Sequence, residues 1–317
     1  MTRKVRQGGQ WVQVGNNIPD EVLGITQADY ENLNSPDSST IYAITSASGV
    51  GPADSLRINQ QLVSKLAVGG TEVWAPTLFA TGGTVTDIDV AGTLWRVHTF
   101  TSSGQFEVLQ DSLSIEYLVV AGGGGGGSSG DGWGWAGGQG GGGGVLSGNE
   151  IINSNVFTIA VGEGGVGKSA NTVGPATNGG NSSWNGHLAF GGGGGGSNSS
   201  GANGGSGGGG SRQISHTGGQ GVIGQGYPGG SANTGPAGGG GASGAGQNGH
   251  SDWSSGPSGA GLLSSISGVE VEYGRGGGGS SVTNSGMGGA ARGWTGSTGA
   301  TGYPGDDGIV IVRYQIG

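Results

Sequence analysis

Unbroken runs of glycine, Gly122 to Gly127 and Gly191 to Gly196 among them, constrain this chain more than anything else in it. A run without side chains cannot build a conventional hydrophobic core. It is either a flexible coil or a structure in which backbone packs directly on backbone. The residues that interrupt the runs decide for the second. Trp133, Trp135, Trp184, Trp253 and Trp294, with short apolar stretches at Ile214, Val222 to Ile223 and Leu262 to Leu263, punctuate the glycines, and disordered segments are poor in such residues. Strand-like stretches also flank the region: Ser114 to Ala121 (SIEYLVVA) before the first run, and Gly308 to Tyr314 (GIVIVRY) at the end. They are placed to pair and close the region into one unit.

A glycine run in a threefold extended helix rises about 3.1 Å per residue and keeps no hydrogen bond for itself, so six residues span roughly 19 Å with every amide pointing outward. Neighbouring runs can approach closely enough to exchange those hydrogen bonds, which buried backbone requires. The expectation is a sandwich of polyglycine-II rods, in which an interior rod needs glycine at nearly every position and an edge rod at every third. Gly293, Gly296, Gly299, Gly302, Gly305 and Gly308 follow the second pattern. Collagen needs the same period, but a short run with Pro304 alone gives a weak triple helix.

The ordered succession Phe106 to Val108, Glu116 to Gly127, Phe157 to Gly167, Gly179 to Trp184, Phe190 to Gly196, Gly204 to Gly210, Gly238 to Gly246 and Gly308 to Tyr314 resembles the glycine-rich receptor-binding domain of bacteriophage tail-fibre proteins and adhesins. The resemblance implies a polyglycine-II sandwich, a bacterial surface receptor (an outer-membrane protein or a glycan) contacted by the loops between runs, and a place in the virion as tail fibre, extracellular after lysis. It names no receptor.

Before Ser114 the composition is ordinary. Strands are expected at Gln10 to Val14, Thr40 to Thr45, Thr71 to Trp74, Thr93 to Phe100 and Gln105 to Leu109, and a helix at Thr26 to Asn32 with Thr26 as its N-cap. Ile25 to Thr45 and Leu66 to Trp74 resemble small modules of phage tail structural proteins. That resemblance implies a mainly β attachment region over 1–114 that contacts other tail or fibre proteins and sets a homo-oligomeric state such as a trimer. The glycine-rich domain is expected over 115–317, with the seam near residues 115–121 and very little α-helix in either part.

The net charge of −9 and pI near 4.7, with no basic cluster beyond Arg3, Lys4 and Arg6, leave no electrostatic footprint for nucleic acid. Zero cysteines exclude disulfides and thiolate metal sites. No apolar stretch is long enough to span a bilayer, and no signal-peptide core follows Met1, so membrane insertion is not expected and exit from the cell is expected through lysis.

Gly162 to Ser169 (GEGGVGKS) satisfies the phosphate-binding loop pattern after a strand, Phe157 to Val161. Phosphate binding also needs a helix straight after the lysine. Gly174 and Pro175 follow within two turns, so the segment reads as a strand entering a glycine rod. His98, His187, His216 and His250 are scattered. Asp87 with Asp89, and Asp306 with Asp307, lack calcium-loop spacing. No catalytic residue, cofactor or metal is expected. Nor are the parallel-strand repeats present that carry paired carboxylates in glycan-cleaving tailspikes.

Function is therefore expected in the loops: Ser128 to Ala136, Ser197 to Asn203, Ser211 to Thr217, Gln247 to Ser255 and Ser280 to Ser285. Tryptophan offers rigid contact area with a polar handle, while Ser, Asn and Gly adapt hydrogen bonds. Trp133, Trp135, His250 and Trp253 are the candidate receptor-binding residues. The alternative, that these tryptophans cap rod ends in a stiff structural virion or fibre protein, stays open at this point.

Overall fold

The computed structural model describes residues 79–316 except 131–135, 214, 278–282 and 294–297, and upstream of residue 79 the backbone of eight short strands. The chain divides into two compact units, Met1–Leu78 and Phe79–Gly317. The described residues are mainly β-strand and extended backbone, and none of them is helical.

In the first unit, β1 (Arg3–Gln7) and β2 (Gln10–Val14) form an antiparallel hairpin. β3 (Val22–Thr26) and β4 (Ile41–Thr45) lie parallel, followed antiparallel by β5 (Ser55–Ile58) and β6 (Gln61–Val63). β7 (Leu66–Val68) pairs with β8 (Thr71–Trp74). The strands expected at 10–14, 40–45 and 71–74 are present. The helix expected over 26–32 lies outside the described residues, except for Thr26, which closes β3.

The second unit begins with β9 (Ala80–Thr81), β10 (Thr84–Val90), β11 (Thr93–Phe100) and β12 (Gly104–Val108), then β13 (Leu113–Val120), β14 (Val145–Ile152) and β15 (Asn155–Ile159). Two small hairpins follow, β16 (Ser182–Trp184) with β17 (His187–Ala189), and β18 (Leu262–Ser264) with β19 (Val271–Tyr273). β20 (Ile309–Gln315) closes the unit. The main sheet has the order β10-β11-β20-β13-β14, with β20 antiparallel to both neighbours. The expected pairing of the two flanking strands is thus made, and it sits at the centre of a sheet. β9 to β12, upstream of the seam expected near 115–121, hydrogen-bond into this unit, so the glycine-rich unit starts at Phe79.

Alternation along β13 and β20 explains why the sheet is central. Ile115, Tyr117, Val119, Val310, Val312 and Tyr314 point into one core, where Phe106, Ile159 and Trp184 join them. Leu118, Val120, Ile309 and Ile311 point into a second with Val97, Val145, Ile266 and Tyr273. Strands buried on both faces read as continuous apolar runs, which is how EYLVV and IVIV read. Trp184 is fully buried, edge-on to Phe106 at 5.7 Å between ring centroids. This tryptophan belongs to the core. Glu116 and Arg313 face each other across β13 and β20 and pair at 2.7 Å.

Beyond the sheet, side chains give way to backbone. The N–H groups of residues 122 to 127 donate in rotation to three neighbouring segments. Gly122 and Gly125 bond Gly180 and Thr177, Gly123 and Gly126 bond Asp306 and Tyr303, and Gly124 and Gly127 bond Gly141 and Gly138. Partner numbers fall as the run's numbers rise, so all three neighbours are antiparallel. The carbonyls rotate in the same way. Gly122 and Gly125 accept from Gly192 and Gly195, Gly123 and Gly126 from Gly165 and Lys168, and Gly124 and Gly127 from Gly289 and Arg292. These three neighbours are parallel. The run is therefore enclosed by six segments, with a repeat of three residues. A Cβ on any of its six glycines would come within 3.0 Å of a carbonyl of a parallel neighbour, such as that of Ala290 for Gly126. No side chain other than hydrogen fits there.

The period of three at the C-terminus has the same origin. Gly302, Gly305 and Gly308 each donate to the antiparallel segment 162–168 through Lys168, Gly165 and Gly162. A Cβ on the same three would strike the carbonyls of Gly126, Gly123 and Val120. Between them, Tyr303, Pro304 and Asp307 are exposed. Gly293 has no neighbour within 4 Å of a Cβ among the described residues, and Gly296 lies outside them.

Candidate functional site

Register fixes which loops share an end. Run 122–127 leads away from β13. Run 191–196 is parallel to it, and 138–144 is antiparallel. Run 206–210 pairs antiparallel with 138–144 through Ser206 to Gly142 and Gly209 to Gln139, so it too leads away from the sheet. Segment 227–230 runs parallel to 207–210, and 246–249 parallel to 228–231. The described residues that follow these runs, 128–130 with 136, 197–200, 211–213 with 215–217, and 250–255, consequently emerge together at the end opposite the sheet. The described parts of four of the five loops singled out in the sequence are there. Ser285 of the fifth bonds Gly274 through its carbonyl, beside Gly286, which contacts Gly143 at the sheet end; residues 280–282 lie outside the described residues.

At the loop end, Trp253 is 58% exposed and has φ of +74°, a conformation that bulky residues rarely adopt. Its loop holds it there. His250 N–H donates to Ser254 O, and the Asp252 carboxylate accepts from the Ser254 hydroxyl at 2.6 Å and its N–H at 3.1 Å. These bonds, the hydroxyl's first, hold the Asp252 carboxyl below its ordinary range. The Thr234 hydroxyl is placed to donate to the carbonyls of His250 and Ser251. The Arg212 guanidinium lies 3.8 Å from the centroid of the Trp253 ring, a cation–π geometry. Arg212 in turn donates its N–H to Ala136, the residue after the 131–135 segment.

The site residues expected from sequence fare differently. His250 and Trp253 share one loop and are exposed. Trp133 and Trp135 lie outside the described residues. Arg212 was not singled out in the sequence, although it is the one cation in the loop Ser211 to Thr217. Ser211 and His216 close that loop at 2.9 Å.

The segment that resembles a phosphate-binding loop uses its amides internally. Gly164 N–H donates to the Asp307 carboxylate at 2.7 Å, Val166 N–H to the Thr177 hydroxyl, Gly165 N–H to Gly123 O and Lys168 N–H to Gly126 O. Among the described residues no three His, Cys, Asp or Glu side chains are placed to hold a metal ion, and no helix is long and apolar enough to cross a membrane.

Residues 100–315 match the family model of a glycine-rich domain. The chain belongs to that glycine-rich domain family. No curated protein matches it.

Proposed function

We propose that this chain is a phage tail-fibre or tail adhesin protein, without enzymatic activity, whose glycine runs form a polyglycine-II sandwich and whose loops at the end opposite the sheet recognise a bacterial surface receptor. The observation that carries the reading is the convergence of four loops at one end, where an exposed tryptophan is held at positive φ over an arginine. Strain of this kind costs on the order of 1–3 kcal/mol and persists where the surroundings over-determine it, often at binding sites. A rigid aromatic beside adaptable polar side chains suits recognition. The threefold rotation of hydrogen bonds around residues 122–127 supports the polyglycine-II assignment. Residues 1–78 would then serve attachment to other tail or fibre proteins, in a homo-oligomer carried on the virion. Five of the seven N–H groups of 162–168 are already bonded within the unit, which argues against nucleotide binding.

Trp253→Ala tests the reading in assembled particles. Truncating a central interface tryptophan commonly costs at least about 2 kcal/mol, so adsorption to host cells should fall roughly thirtyfold while particles still form. Unchanged adsorption after truncation of every aromatic in these loops would instead identify the glycine unit as an inert structural cap.

A further inference from the structure

A groove of about 380 Å³ lies on the flank of the glycine unit, lined by Asn178, Asn181, Phe190, Asn203, Gln220 and Val222 with intervening glycines. It is formed where segments 178–181, 190–191, 203–204 and 220–222 meet, toward the sheet end of the runs and remote from the loop end. No charged residue lines it.

Its asparagines are oriented by the lattice. The Oδ1 of Asn181 accepts Gly191 N–H at 2.9 Å, and that of Asn178, three residues earlier, accepts Gly194 N–H at 3.0 Å. The Oδ1 of Asn203 accepts Gln220 N–H at 2.7 Å. An amide carries its acceptor and its donors on opposite branches, so fixing the oxygen fixes the direction of the Nδ2 group. Asn178 spends its Nδ2 on Asn203 O. The Nδ2 groups of Asn181 and Asn203 have no partner among the described residues, and neither has the Gln220 side chain. Phe190 is 39% exposed beside them. Its backbone is clamped by Gln225, whose Oε1 accepts Phe190 N–H and whose Nε2 donates to Leu188 O.

We infer that this groove binds a neutral carbohydrate. Preoriented amide donors match ring hydroxyls. An exposed aromatic face matches the apolar C–H face of a sugar ring, and an uncharged lining offers nothing to balance a carboxylate, sulfate or phosphate substituent. Rigid placement lowers the ordering cost that weakens most surface sites. A groove built to hydrogen-bond hydroxyls rejects analogues that lack them, because its polar groups would then be left unpaired. The inference does not rest on the loops at the opposite end contacting a host.

The test is saturation-transfer NMR on the full chain with short linear glucan, galactan and mannan oligomers, and with an oligogalacturonate as the charged counterpart. At least one neutral oligomer should bind and the galacturonate should not. Asn181→Asp combined with Asn203→Asp keeps both oxygens that the lattice uses and removes both free donors. It should weaken binding at least about tenfold with an unchanged melting temperature. Phe190→Ala should weaken binding too, whereas Trp253→Ala should leave it intact. Absence of binding by every neutral oligomer, binding that survives the double substitution, or equal binding of the galacturonate would overturn the inference. Because no host cell is involved, failure here is distinguishable from failure of the adsorption experiment.

Discussion

At the residue scale, the same amino acid does opposite things depending on what a Cβ would meet. Gly193 has the carbonyl of Ala202 where its Cβ would go, whereas a Cβ on Gly293, at ordinary φ, meets nothing within 4 Å among the described residues. Gly193→Val should therefore destabilise by about 4–5 kcal/mol, and Gly293→Ala should stay within about 0.5 kcal/mol. Chemical denaturation of the two variants checks the contrast. His98 sets a pH limit on the sheet. It is fully buried, with Nδ1 at 2.7 Å from Gly82 O and Nε2 at 3.2 Å from the Tyr314 hydroxyl. A carbonyl can only accept, so Nδ1 donates and the neutral ring accepts from Tyr314 through Nε2. Burial lowers its pKa from 6.5. The folded state then binds fewer protons than the unfolded chain, so stability is full above pH 6.5 and is lost as pH falls from there toward the depressed folded value. Thermal melts should show this acid slope, and His98→Gln should remove its share of it.

At the scale of elements, the flanking strands were legible because apolar runs abut glycine so sharply at Ala121 and Gly308. Their pairing needs no other information. The C-terminal period of three was legible for a similar reason, since each glycine in 302–308 marks one approach of a neighbouring backbone. Which run neighbours which was not legible, because glycine carries no label that selects a partner. For the same reason the groove at Phe190 escaped notice: its walls come from four segments that only the lattice brings together. The start of the unit at Phe79 is not legible because β9 to β12 have ordinary composition and join the unit through partners later in the chain, β10 and β11 through β20 and β9 and β12 through β15. Arg212 escaped because a lone cation in a polar loop signals nothing until an aromatic is seen beneath it. In segment 162–169 the proposed reading is a motif that arises from composition. Five of its N–H groups are bonded within the unit, so Lys168→Ala should leave the melting temperature unchanged, and ATP should not raise it. Micromolar ATP binding that disappears in this variant would contradict that assignment.

At the scale of the whole molecule, stability in the glycine unit is divided between an ordinary two-faced sheet and a lattice in which backbone hydrogen bonds take the place of side-chain packing. The sheet anchors one end, and the loops are carried at the other, where sequence can vary without touching a glycine of the lattice. The recognition proposed for the loop end would depend on the lattice being rigid, so order in the glycine runs is the central claim. Native-state amide exchange measures it directly. The account predicts that the amides of Gly122 to Gly127 and Gly191 to Gly196 exchange slowly, with opening free energies near the global value, as expected for groups enclosed by hydrogen-bonded neighbours. Exchange of these runs at the rate of an unstructured chain, while β13 and β20 remain protected, would contradict it.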